Sequence, residues 1–204
     1  MSARGIVFAS PNRACRERAS DSVPFHVSAA QQTKMASTLL HLSALAFFPT
    51  LMALSASMDL LTFTIPNRLC VALVLGYLVF AALLGVSAVE ILLNISCALA
   101  ILAIAFVMFT LGWVGGGDAK LAAATAAWLG WAAILDYGLA AALFGGILTL
   151  IILGARMAPL PAVFSRVDWL ARLHNAKAGV PYGIALAAAG LMQYPNSSIW
   201  AAVI

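Results

Sequence analysis

Residues 91–120 read ILLNISCALAILAIAFVMFTLGWVGGGDAK. No charged side chain interrupts 91–117, and Asp118 then stands directly behind Gly115, Gly116 and Gly117. A helix needs about 20 mostly apolar residues to cross a hydrocarbon core, and this run supplies them. Charged residues bracket further uncharged runs at 35–58, 69–89, 121–135, 137–155 and 178–204. Of these, only 121–135 is short, and it reaches adequate length when Asp118 and Asp136 are placed at its two ends. Backbone groups in lipid must be satisfied within their own segment, so bundled helices are the economical solution. The strand-period alternation of a barrel is absent. The expected fold class is therefore all-α: a polytopic membrane domain of about six transmembrane helices over 35–204.

Composition agrees. Of 204 residues, 64% are hydrophobic and 9% charged, with a mean hydropathy of +1.02. A soluble domain carries about a quarter charged residues. The net charge of +4 is no sign of nucleic-acid binding, because Arg4, Arg13, Arg16, Arg18 and Lys34 all precede the first run. Residues 1–34 lack apolar periodicity and are expected to be a poorly ordered extension. Met35 opens the hydrophobic part and is the favoured start of the protein. The scattered Cys15, Cys70 and Cys97 form no C-x-x-C pair, which argues against a disulfide framework or a thiolate zinc site. His26, His41 and His174 lie far apart in the chain. No metal or other cofactor is expected.

The charges that remain set the topology. Loops after the first, third and fifth runs hold Arg68, Lys120, Arg156, Arg166, Arg172 and Lys177, whereas the alternate loops hold only Glu90 and Asp136. The positive-inside rule places the basic loops in the cytoplasm. The largest of them, 159–178, carries Val163, Val167, Leu170 and Leu173 at helical spacing beside basic residues. That pattern suits an amphipathic surface helix, with a solvated connector as the alternative.

Ionisable groups at membrane depth are functional by default. Glu90 and Asp136 stand alone and read as interfacial anchors, and Asp168 belongs to the surface loop. Asp59 and Asp118 keep different company. Asp59 ends the first run, and Ile65-Pro66-Asn67 follows, where Pro66 must break the chain and Asn67 is suited to cap the next helix. Asp118 closes a glycine triplet that offers conformational freedom and close approach. Two intervening spans form an antiparallel hairpin able to return Asp118 beside Asp59. Carboxyls a few ångströms apart cannot both ionise cheaply, so such a pair shares one proton and can work as acid and base on a peptide bond. Lys120 either snorkels or influences the charge on Asp118. Gly145-Gly146 is read as a helix-packing feature.

At these residues the chain resembles the type IV prepilin peptidases, in the short form that serves Flp/Tad pili. The segment 59–68 (DLLTFTIPNR) is similar to the family's first catalytic segment, 115–121 (GGGDAKL) to its GxGD segment, and 181–185 (PYGIA) to a further segment near the last span. The likeness covers roughly 36–192. It implies an aspartic endopeptidase, with Asp59 and Asp118 catalytic and Pro66, Asn67, Gly115, Gly117, Lys120, Pro181, Tyr182 and Gly183 in support. It also implies prepilin substrates cut at a basic leader, the bacterial inner membrane, a cytoplasmic active site, and contact with other pilus-assembly components. Longer relatives carry a methyltransferase region with paired C-x-x-C motifs, which this chain lacks, so N-methylation is not expected. The rival readings are a proton-coupled transporter and a catalytically inactive pilus-assembly protein.

Overall fold

A computed structural model describes residues 29–157, 168–175 and 179–204. The described elements are α1 (Ala29–Thr62), α2 (Asn67–Leu83), α3 (Ala88–Thr110), α4 (Gly116–Met157), α5 (Asp168–His174), α6 (Gly183–Gln193), a 3-10 turn (Tyr194–Asn196) and α7 (Ser198–Val203). No strand occurs among the described residues, and the protein is an all-α membrane protein. Within α1 the segment Gln31–Thr62, and all of α3 and α4, are long and apolar enough to cross a bilayer, while α2 is a shorter apolar helix. The chain divides into Met1–Leu40 and His41–Ile204. Of the first unit, residues 29–40 are described and are helical. The second unit carries the core and the site. Of the surface segment expected over 159–178, only 168–175 are described; Val163 and Val167 lie outside the described residues.

The boundary between the fourth and fifth spans is not where charge placed it. Asp136 sits inside α4, and the helix breaks at Gly130, whose φ of 63° and ψ of −172° are non-helical. That backbone region is open essentially to glycine alone. A Cβ at 130 would also run into the Asn94 side chain. Asn94 is held by the Tyr77 hydroxyl at 2.8 Å and by Ser198 Oγ at 3.2 Å. The reversal is thus shaped by a polar cluster reaching from α3 to α2 and α7. An exposed aspartate is tolerated on a helix, but a side chain beyond hydrogen is not tolerated at this turn.

The core gathers around Trp128, which is fully buried. Its ring meets Phe47, Phe48, Tyr77, Phe80 and Tyr194 at centroid separations of 5.1–6.4 Å, and its indole N–H donates to the Leu73 carbonyl at 2.9 Å. Aromatic pairs of this kind contribute beyond the area they bury. Tyr194 extends the cluster by donating its hydroxyl to the Ala44 carbonyl at 2.9 Å. Helices α1, α2 and α4 and the C-terminal turn therefore share one aromatic centre, and α1 and α4 are the helices that carry the two acids. Cys70 and Cys97 are buried in α2 and α3.

Candidate active site

Asp59 lies one turn inside the end of α1, which continues to Thr62. Phe63 terminates the helix in the left-handed region, with φ 56°, its N–H returning to the Asp59 carbonyl at 2.8 Å. A bulky residue in that conformation is strained by about 1–2 kcal/mol, so the surrounding structure enforces the turn. Residues 64–66 then run non-helically to α2. Pro66, with φ −62° and ψ 135°, holds the flanking position before α2, and no side chain caps that helix. Asn67 is therefore not the cap its sequence position suggested. It is the first helical residue, and its side-chain oxygen accepts from Lys120 Nζ at 3.0 Å.

Asp118 also differs from expectation in its setting. The third span ends at Thr110, Gly112 turns the chain with φ 75°, and Asp118 sits in the first turn of α4. A carboxylate is favourable there because the helix N-terminus carries partial positive charge. None of Gly115, Gly116 or Gly117 has a positive φ, so conformational freedom is not their purpose. Close approach is. A Cβ at Gly115 would lie 3.0 Å from Asp118 Oδ2, one at Gly116 3.3 Å from the Phe109 ring, and one at Gly117 3.3 Å from Ile65 Cβ.

The structure brings these segments together. Asp59, Phe63, Thr64, Ile65, Asn67, Gly115, Gly116, Gly117, Asp118 and Lys120 line one cavity of about 360 Å³. Both acids thus face a common space large enough for water and a stretch of extended chain. A third segment holds Asp59. The Gly183 N–H, in the first turn of α6, donates to Asp59 Oδ2 at 2.7 Å. A hydrogen bond from a helix N-terminus to a carboxylate is short and strong, and it fixes the orientation of this one. Ile65, 7% exposed, is wedged between two glycines: a Cβ at Gly183 would lie 2.8 Å from its Cδ1. Ile65 is the site residue that sequence reasoning passed over, since an isoleucine before proline carries no distinguishing signal. Phe63 gave none either.

Pro181 is fully buried and opens the turn into α6. Tyr182 donates to the Ala141 carbonyl at 2.9 Å, and Gly145 leaves room for its ring, since a Cβ there would overlap it. Gly146 faces open space, so only the first of that glycine pair serves packing. Arg156 ties down the approach to this turn by donating to the carbonyls of Leu173 at 2.8 Å and Gly179 at 3.0 Å. Among the described residues, no three His, Cys, Asp or Glu side chains converge to hold a metal ion. The polar side chains lining the cavity are those of Asp59, Asp118, Lys120, Thr64 and Asn67.

The profile of the type IV leader peptidase family matches residues 46–150. The chain belongs to the type IV leader peptidase family. The matched stretch runs from within α1 to within α4 and contains both acids, while Pro181, Tyr182 and Gly183 fall beyond it. Comparisons with characterised proteins and with solved structures found no match.

Proposed function

We propose that this leader peptidase family member is an aspartic endopeptidase that uses Asp59 and Asp118 to cut the basic leader from membrane-anchored prepilins of the Flp/Tad kind. The observation that carries the reading is the shared cavity: two acids, 59 residue positions apart in the chain, open on one space. The pair holds one proton between them. The ionised carboxyl takes a proton from a water in the cavity, and the resulting hydroxide attacks the scissile carbonyl carbon. The protonated carboxyl donates to the carbonyl oxygen. As the tetrahedral intermediate collapses, the C–N bond breaks, the nitrogen takes a proton from the pair, and the amine leaves. The Gly183 amide holds Asp59 in register for this exchange, and Lys120, linked to Asn67, offers a positive charge at the cavity.

On this reading the cavity lies on the cytoplasmic face of the inner membrane, which the basic loops support through the positive-inside rule. A substrate cut there keeps its apolar helix in the bilayer and presents its leader at the surface. The test is co-expression with a prepilin, followed by electrophoresis of the membranes. A peptidase converts the precursor to a faster-migrating mature form with a new N-terminus at the leader junction. A transporter or an inactive assembly protein leaves the precursor unchanged.

A further inference from the structure

A second cavity shares a wall with the first. Asp118 lines both. The second is an apolar groove of about 260 Å³ framed by α3 through Ile104 and Met108, by α4 through Ala122, Gly138 and Ala142, and by Tyr182 at the head of α6. We infer that this groove seats the apolar helix of the anchored substrate and so determines which precursors are accepted. The inference rests on the peptidase reading and names the surface that reading needs.

Four observations converge on that occupant. The groove lies along helices of membrane-crossing length and composition. A polypeptide at that depth must satisfy its own backbone and is therefore helical. Alanine and glycine dominate the α4 wall, and small residues let a neighbouring helix approach closely. A volume of this size takes side chains rather than a whole helix, so the substrate helix lies against the groove and inserts residues from one face, as in other helix-in-groove recognition. Finally, because Asp118 belongs to both spaces, a chain leaving the groove runs directly into the polar cavity. The helix unwinds there and offers an extended peptide bond to Asp59 and Asp118.

Gly138 makes the groove testable. A Cβ there meets nothing within 4 Å, and the same is true at Gly146, which is outside the groove on the same helix. A Cβ is therefore accommodated at both positions, and of Gly138→Leu and Gly146→Leu only the first adds its side chain to the groove wall. The variants are assayed on a full prepilin in proteoliposomes and on a soluble peptide that spans the leader junction and stops before the apolar helix. The expected result for Gly138→Leu is a KM for the anchored precursor raised about tenfold or more, with kcat/KM on the peptide within twofold of wild type. Gly146→Leu matches wild type on both. Wild-type kinetics for Gly138→Leu on the anchored precursor overturn the groove assignment while leaving the peptidase reading standing, and an equal loss on both substrates overturns it too.

A second measurement does not depend on turnover. A photo-crosslinker at position 138 captures the precursor's apolar helix at a three-to-four-residue period, and one at 146 does not. Capture of lipid alone at 138 means that the groove is a lipid site. A wild-type enzyme that cuts neither substrate removes the peptidase reading and this inference together.

Discussion

Gly183→Ala changes one hydrogen to a methyl, and its consequence can be worked out from the site. The added Cβ would lie 2.8 Å from Asp59 Oδ2, 3.0 Å from Asp59 Cγ and 2.8 Å from Ile65 Cδ1. Ile65 is held from its other side by Gly117, and the Asp59 oxygen is the one bonded to the Gly183 amide at 2.7 Å. Relief therefore comes from moving the carboxyl, which stretches that hydrogen bond. A displacement on the order of 1 Å in a catalytic group costs about 100-fold in rate, or roughly 2.7 kcal/mol of activation free energy. Gly183 does not have a positive φ, so alanine suits the local backbone, but a propensity gain of at most about 0.5–1 kcal/mol is outweighed by an overpacking cost of about 1–3 kcal/mol against Asp59 and Ile65. Activity should thus fall by more than a modest loss of stability explains. The assay is leader cleavage by purified enzyme in proteoliposomes, with thermal unfolding followed in parallel. Gly179→Ala serves as the control because a Cβ there meets nothing within 4 Å. The expected result is a fall in kcat of about two orders of magnitude in an enzyme that still folds, with stability lowered by about 1–3 kcal/mol, and no change for Gly179→Ala. Wild-type kcat in a folded Gly183→Ala enzyme would refute the role given to the amide.

The same structure yields further expectations. Trp128→Ala removes the centre of the aromatic core and should lower unfolding free energy by about 3–5 kcal/mol, measured by denaturation in detergent. Lys120→Gln weakens an exposed link to Asn67. Exposed polar pairs are worth little, so stability should hold, while any positive charge lent to the cavity is lost and the salt dependence of kcat/KM should flatten. A pair sharing one proton is competent only when singly protonated. Hence kcat/KM should be bell-shaped in pH, falling on the acid side as both carboxyls protonate and on the alkaline side as both ionise.

Much of this was legible in the chain because lipid imposes simple rules. Uncharged runs marked the helices, since an ionisable group inside a span is costly wherever it faces lipid. The same logic singled out Asp59 and Asp118 by their neighbours, and the structure gives them a common cavity. It misled at Asp136, where charge suggested a loop but the break is at Gly130, dictated by backbone geometry and by Asn94 arriving from another helix. Asn67 had the chemistry of a cap and the position of one, yet its side chain turned to Lys120, a partner 53 residues on. The glycines before Asp118 pointed to the right place for the wrong reason: they admit Ile65, Phe109 and the carboxyl itself, rather than bending the chain. The support from Gly183 depends on an amide meeting a carboxylate 124 residues away, a distance over which no local pattern speaks.

The central claim is that two carboxyls act as a unit on one amide bond. The most direct measurement is the cleavage rate of Asp59→Asn, Asp118→Asn and the double variant, each reconstituted with the same prepilin. Each amide keeps the shape of the acid and removes its proton chemistry, so each single variant should lose about 10²–10⁴-fold or more. Because neither carboxyl works without the other, the double variant should be no slower than the worse single one. Normal processing by either single variant would contradict the account, and so would losses that simply multiply in the double.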